Sequence, residues 1–152
     1  MGSEGPTPLE TAKSLIDGYN TWELDAIMKP RHTSCTQKVL PARLNRPAMS
    51  NDEYRQYFQG VMGQFRDYHL EISDATEDTK RHKVAFLLQG TAKTAIGDYA
   101  NEFTVIIHLT EDDSQILEVK EFVYVPCALI RADSGYSMDF FQRLRAHMAG
   151  QS

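Results

Sequence analysis

The sequence predicts an α+β domain in which helices pack on one side of a curved antiparallel sheet. Helical periodicity with capping signals fills the first part of the chain. The apolar spacing then changes from the helical period to a period of two, and the later stretches follow one another with short polar turns, as in a meander. The length of 152 residues suits one domain, and 41% hydrophobic with 24% charged residues is an ordinary globular balance.

Residues 1–6 are polar and rich in Gly and Pro and read as a frayed tail, so the domain is placed at 7–148. Thr7-Pro8-Leu9-Glu10 is a capping box with proline at the first helical position. Leu9, Ala12, Leu15, Ile16 and Tyr19 then mark a buried face, with Gly18 and Asn20 loosening the helix end. A short helix is expected from Thr21 to Lys29, with Trp22, Ala26 and Ile27 apolar, and Pro30 stops it. Ser34 to Leu40 reads as a short strand and Pro41 to Pro47 as a loop. Ser50-Asn51-Asp52-Glu53 is a second capping box, with Met49 and Tyr54 as its hydrophobic staple. The helix it starts carries Tyr54, Phe58, Val61 and Phe65 on one face.

After this helix, Tyr68, Leu70 and Ile72 alternate with polar residues, and Asp74 to Lys80 is expected to turn. Val84 to Leu88 is an unbroken apolar run, which suits a strand buried on both faces. Gly97-Asp98 marks a turn, Tyr99 to Leu109 a long alternating strand, Glu111 to Ser114 a turn, and Ile116 to Val125 the last long strand. Asp133 to Tyr136 reads as a turn. Met138 to Met148 reads as a terminal helix with Phe140, Phe141 and Leu144 apolar.

Strand parity points to a site. Between 99 and 109 the odd positions are the more apolar, which turns Tyr99, Asn101, Phe103, Val105, Ile107 and Leu109 inward. Between 117 and 125 the odd positions are Leu117, Val119, Val123 and Val125, with Glu121 among them. An ionised carboxylate in such a row is costly unless paired, and desolvation raises its pKa toward the range of a useful acid or base. The plainer readings of Glu121 are a structural ion pair or a bulge that turns it to solvent. Tyr99 and Asn101 each read alone as a satisfied core polar group. Together with Glu121, on an apolar wall, they describe a pocket with a few placed polar groups.

Several function classes lose their usual signatures. A net charge of −5 gives no general attraction to nucleic acid or to an anionic membrane. No apolar run approaches the roughly 18 residues that span a bilayer. Met1 to Pro6 lacks the basic and apolar regions of a secretory signal, and Pro6 breaks the myristoylation pattern. Cys35 and Cys127 make no disulfide framework, so a soluble cytoplasmic protein with reduced thiols is expected. No pair among His32, His69, His82, His108 and His147 has metal-site spacing, and no metal is expected. Glycine-rich nucleotide loops and the serine-hydrolase elbow are missing. Lys80-Arg81-His82-Lys83 reads as a solvated strand end. Arg31 either reaches the mouth of the cavity to orient an oxygen or lies on the surface. Arg43 and Arg46 sit in a loop that can act as a lid.

The order Tyr19-Asn20-Thr21-Trp22, Pro30-Arg31, Cys35, Leu40-Pro41, Arg46-Pro47-Ala48-Met49-Ser50-Asn51 with Tyr54, Tyr99-Ala100-Asn101-Glu102 and Glu121-Phe122 resembles the small SnoaL-like proteins of fungal secondary-metabolite clusters. The likeness runs from about residue 9 to about residue 144. It implies a nuclear-transport-factor-two-like cone with a deep apolar cavity, and a homodimer joined through the outer sheet faces, here with Ile106, Phe122 and Tyr124. Such relatives act without a cofactor on terpenoid, polyketide or alkaloid intermediates. By the same likeness Glu121 is the acid/base carboxylate, Arg31 the cavity arginine, and Tyr99 a hydrogen-bond donor to substrate oxygen. Phe103 stands where some relatives have tyrosine, and Gln37 near where histidine is common.

The function implied is that of an isomerase or cyclase, with lyase or lactone-hydrolase chemistry as variants. Glu121 would move the proton, while Arg31, Tyr99 and Asn101 hold the oxygen where charge develops. Tyr19, Trp22, Phe58, Met62, Phe65 and Phe103 would line the cavity around a small apolar metabolite. The alternative is a non-catalytic binding or dimerisation module of the same fold.

Overall fold

The capping box at Thr7 forms in full. In the computed structural model of the chain, which describes residues 5–123 and 137–150, the Thr7 hydroxyl accepts from the Glu10 amide, and the Thr7 amide donates to the Glu10 carboxylate at 2.8 Å. This cap opens α1 (Pro8–Thr21), which buries Ala12, Leu15 and Ile16 against the sheet. Glu77, from a distant strand, accepts from the Leu9 amide at 2.7 Å and sets its charge at the positive end of the helix.

The end of α1 departs from expectation. Gly18 and Asn20 lock the helix rather than loosen it. A Cβ on Gly18 would stand 2.7 Å from the Ala26 carbonyl oxygen, so glycine is what lets the next helix cross closely. Asn20 clamps the backbone of Leu70. Trp22 is the left-handed cap of α1, with φ of 54°. It therefore does not belong to α2, which is limited to Leu24–Met28.

β1 (Arg31–Leu40) starts three residues before the expected strand. A cis Leu40-Pro41 bond and a 3-10 turn at Ala42–Leu44 follow. The chain then returns to β1. The Gln37 amide donates to the Met49 carbonyl at 2.9 Å, and the Met49 amide donates back at 2.8 Å. Ser50 caps α3 (Asn51–Met62) by accepting from the Glu53 amide. The helix stops at Met62, so Phe65 lies in the turn after it rather than on its face, yet it is still buried.

Four strands complete the sheet: β2 (Arg66–Asp78), β3 (Lys83–Thr94), β4 (Gly97–Leu109) and β5 (Ile116–Val123). Their order is β1-β5-β4-β3-β2. The β1–β5 pair is parallel, so the sheet is mixed rather than wholly antiparallel. Asp74 to Asp78 extends β2 instead of turning. β2 is an edge strand, and where both faces meet water no apolar alternation is required. β3 is covered on one face only. Val84, Phe86 and Leu88 are buried, while Ala85 and Leu87 are half-buried on the other side. The turn into β4 falls at 95–96, with Gly97 opening the strand at φ of 127°.

β4 keeps the expected parity, with Tyr99, Phe103, Val105, Ile107 and Leu109 buried. In β5 an irregularity beside His108 buries Ile116 and leaves Leu117 half-buried, contrary to expectation. The parity then resumes at Val119 and Glu121. α4 (Ser137–Ala149) brings Leu144 into a cluster with Phe65, Ala92 and Tyr99. The main core holds Ile27, Phe86, Ile107 and Ile116 with no exposed surface. Each such side chain contributes roughly 1.5–3 kcal/mol. Ile106 and Phe122 lie exposed on the outer sheet face. No helix among the described residues is long and apolar enough to cross a membrane. The first four residues, Tyr124, Val125, Cys127 and the expected 133–136 turn fall outside the described residues.

Candidate active site

Helices α1 and α3, the inner sheet face and the returning segment after β1 enclose a cavity of about 300 Å³. Its apolar wall includes Ile16, Leu70, Leu88, Val105 and Val119. Polar atoms come from Gln37, Arg46, Glu121 and the tyrosines at 19, 54, 57, 68 and 99.

Glu121 is the carboxylate on that wall. β5 holds it between two valines, Val39 on the parallel neighbour and Val105 on the antiparallel one. Burial pushes its carboxyl above the usual range, against the pull of Arg46 and then of Arg31. The charge of Glu121 reaches the hydroxyls of Tyr19, Tyr54, Tyr68 and Tyr99, but burial is the main cause that raises each of these phenols. They are neutral hydrogen-bonding groups at any ordinary pH.

Arg31 is neither in the cavity nor on the surface, and both sequence readings give way to a third position. It is 5% exposed and lies behind the wall. Its Nη2 donates to Gln37 Oε1 at 2.8 Å, and its guanidinium carbon sits 4.4 Å from the centre of the Tyr54 ring. Burial works against its charge, but a guanidinium stays protonated at any ordinary pH, and the neighbouring Tyr19 and Tyr54 hold its pKa above the usual value. Its Nε has no hydrogen-bond partner among the described residues. The arginine that enters the cavity is Arg46.

Of the other expected site residues, Tyr99, Tyr19, Trp22, Phe58, Phe65 and Phe103 stand on the wall. Asn101 does not; it is half-buried and hydrogen-bonds the Tyr99 side chain. Met62 is also absent from the wall. Its side chain packs against the core, and its carbonyl accepts from the Trp22 indole at 3.2 Å. That bond holds Trp22 flat on Tyr68, with ring centres 4.2 Å apart. Phe65 meets Tyr99 edge-on at 5.5 Å. The Tyr19 and Tyr54 hydroxyls share a hydrogen bond. No group of three or more His, Cys, Asp or Glu side chains among the described residues is arranged to hold a metal ion. The arrangement offers one carboxylate with a raised pKa, one cation and several neutral donors inside an apolar enclosure.

No protein-family model matches the chain. It is 25% identical over 150 residues to the monooxygenase dmxR10 of Cryptosporiopsis sp., covering 97% of this chain and 94% of that one. It is 21% identical over 148 residues to austinoid biosynthesis cluster protein H of Aspergillus calidoustus, covering 95% of each. The solved structure of BvnE pinacolase from Penicillium brevicompactum matches it with a TM-score of 0.79 at 24% identity, over 91% of both chains. The fold is nuclear-transport-factor-two-like. Its homologues are fungal secondary-metabolite cluster proteins.

Within this nuclear-transport-factor-two-like frame, sequence reasoning missed Gln37, Tyr54, Tyr57 and Tyr68 as wall residues. Two of them carried a signal. Tyr68 shares the inward parity of Leu70, and Gln37 shares that of buried Cys35. Tyr54 was legible as a buried helix position, but not as part of a hydroxyl pair. That pair depends on how α1 and α3 meet.

Proposed function

We propose that the protein is a cofactor-independent isomerase or cyclase that rearranges a polycyclic, mostly apolar metabolite by acid/base chemistry in this cavity. The homologues support a tailoring role in biosynthesis. The observation that carries the reaction class is Glu121, a single carboxylate set among valines in the cavity wall with its pKa raised by burial. A base so desolvated is stronger than one in water.

In this reading Glu121 takes a proton from a carbon next to an oxygen-bearing centre and returns it at another position. Atoms therefore balance without a co-reactant. Arg46 and the Tyr99 hydroxyl hold the oxygen as negative charge develops. Asn101 fixes Tyr99, and Arg31 supplies positive potential from behind the wall. The stacked aromatic wall holds one reactive conformer, which is a large part of any cyclisation rate.

The test is turnover of the metabolites that accumulate in a strain lacking this protein. Purified wild-type protein converts one of them to an isomer, and Glu121→Gln lowers that rate by about two to four orders of magnitude while binding persists. Conversion unaffected by Glu121→Gln sinks the acid/base reading. Binding without conversion by the wild type supports a non-catalytic binder instead.

A further inference from the structure

We propose that Gln37 is a further oxygen-binding residue of the cavity beside Arg46 and Tyr99, its side-chain amide held in one orientation by Arg31 so that it donates to a carbonyl oxygen of the bound metabolite. This deepens the acid/base reading by naming the acceptor the substrate must carry.

The orientation follows from donor chemistry. A guanidinium only donates, so the Gln37 atom that faces Arg31 Nη2 at 2.8 Å has to be the carbonyl oxygen. The two amide hydrogens then point away from Arg31. Among the described residues the Gln37 amide nitrogen has no hydrogen-bond partner, although the residue is only 3% exposed and forms part of the cavity wall. The amide nitrogen is therefore a donor open to the cavity, where an acceptor on a bound molecule can pair with it.

The residue is also held still. Its backbone is bonded in both directions to Met49, and its side chain is bonded to a buried cation. Gln37 pairs with Val119 in the register that pairs Val39 with Glu121, so donor and carboxylate are two positions apart on neighbouring strands. An oxygen bound at Gln37 therefore lies beside the carbon that Glu121 would deprotonate. Arg31 polarises the amide through its carbonyl and strengthens the donor without entering the cavity. The tyrosines are less selective. Tyr19 and Tyr54 are bonded to each other, Tyr99 is bonded by Asn101, and a phenol can accept as well as donate. Held in this orientation, Gln37 only donates into the cavity, so it favours a carbonyl over an amine at this point.

A matched pair of probes tests this: 9-fluorenone, which has the carbonyl, and fluorene, which does not. Trp22 is the one tryptophan of the chain and lines the cavity, so quenching of its fluorescence reads binding. The carbonyl stretch of bound fluorenone reads the hydrogen bond. In the wild type, fluorenone binds more tightly than fluorene, and its stretch falls below the value in an apolar solvent. Gln37→Glu still accepts from Arg31 but has no amide hydrogens. It moves the stretch back up and weakens fluorenone about three- to tenfold, leaving fluorene within a factor of about two. Gln37→His can accept at one ring nitrogen and donate at the other, and it restores the shift. Arg31→Met frees the amide to rotate and broadens or splits the band. If Gln37→Glu does not fold, Gln37→Leu is read in the same way.

An unchanged stretch in Gln37→Glu or Gln37→Leu, equal weakening of both probes, or no wild-type preference for fluorenone overturns the proposal. Glu121→Gln serves as the separating control. Retained band shift with lost turnover supports both readings. Retained shift with retained turnover removes the acid/base reading and leaves the Gln37 assignment standing.

Discussion

The side-chain amide of Asn20 grips the backbone of Leu70 with both ends: its Oδ1 accepts from the Leu70 amide at 2.7 Å and its Nδ2 donates to the Leu70 carbonyl at 3.0 Å. Leu70 lies on an edge strand and on the cavity wall, so this grip replaces the neighbour that an edge lacks. Asn20→Ala leaves both backbone groups without it and costs about 1–3 kcal/mol in urea unfolding. A loss below a few tenths of a kcal/mol would mean that water replaces the clamp fully.

Gly18 makes an opposite prediction to that of helix propensity. In an open helix Gly→Ala stabilises by about 1 kcal/mol. Here the new methyl would stand 2.7 Å from the Ala26 carbonyl oxygen and 2.9 Å from its carbon, both rigid backbone atoms. Gly18→Ala therefore destabilises by about 1–3 kcal/mol through overpacking. A rise in thermal midpoint would show that α2 shifts freely.

Glu121 ties stability to pH. Its ordinary pKa is 4.5, and burial raises it in the folded protein. Below pH 4.5 both folded and unfolded chains carry the proton, and the carboxyl imposes no penalty. As pH rises the unfolded chain ionises first, so stability falls until the folded-state pKa is passed. Glu121→Gln removes this loss. The variant melts higher than the wild type at pH 8, and the gain shrinks on acidification toward pH 4. A gain independent of pH would refute the raised pKa.

Arg46 exerts the larger of the two attractions on Glu121, and Arg31 the smaller. Arg46→Gln raises the Glu121 titration further, and Arg31→Gln raises it by less, as read by carbon NMR of labelled carboxyls. Arg46 is half-buried on a loop, so added salt at about 1 M reproduces part of its removal. A fall in either variant would contradict the stated order of charges.

Strand parity made the cavity wall partly legible. The alternation from Tyr99 to Leu109 places the inward rings correctly, and the intruding carboxylate at 121 is visible as a break in an apolar row. Parity failed at Leu117, where the register shifts, and in the polar half of β2, where an edge strand has no second neighbour to satisfy. Asn101 shows a further limit. It has the right parity, but its amide is spent on Tyr99. Arg31 and Arg46 were indistinguishable in one dimension because their positions depend on the parallel β1–β5 pairing and on how the chain folds back from Pro41. The same pairing is what brings Gln37 near Glu121.

Since Gln37 and Met49 are stitched together by two main-chain bonds, the stretch 41–48 is a cassette whose ends stay side by side whatever lies between them. Only Arg46 and Pro47 of that stretch line the cavity. Descendant sequences can lengthen, shorten or recompose it without unseating a strand, and every such change re-aims one charge at the same acid. Chemical diversification thus has a defined address, far along the chain from the group it retunes.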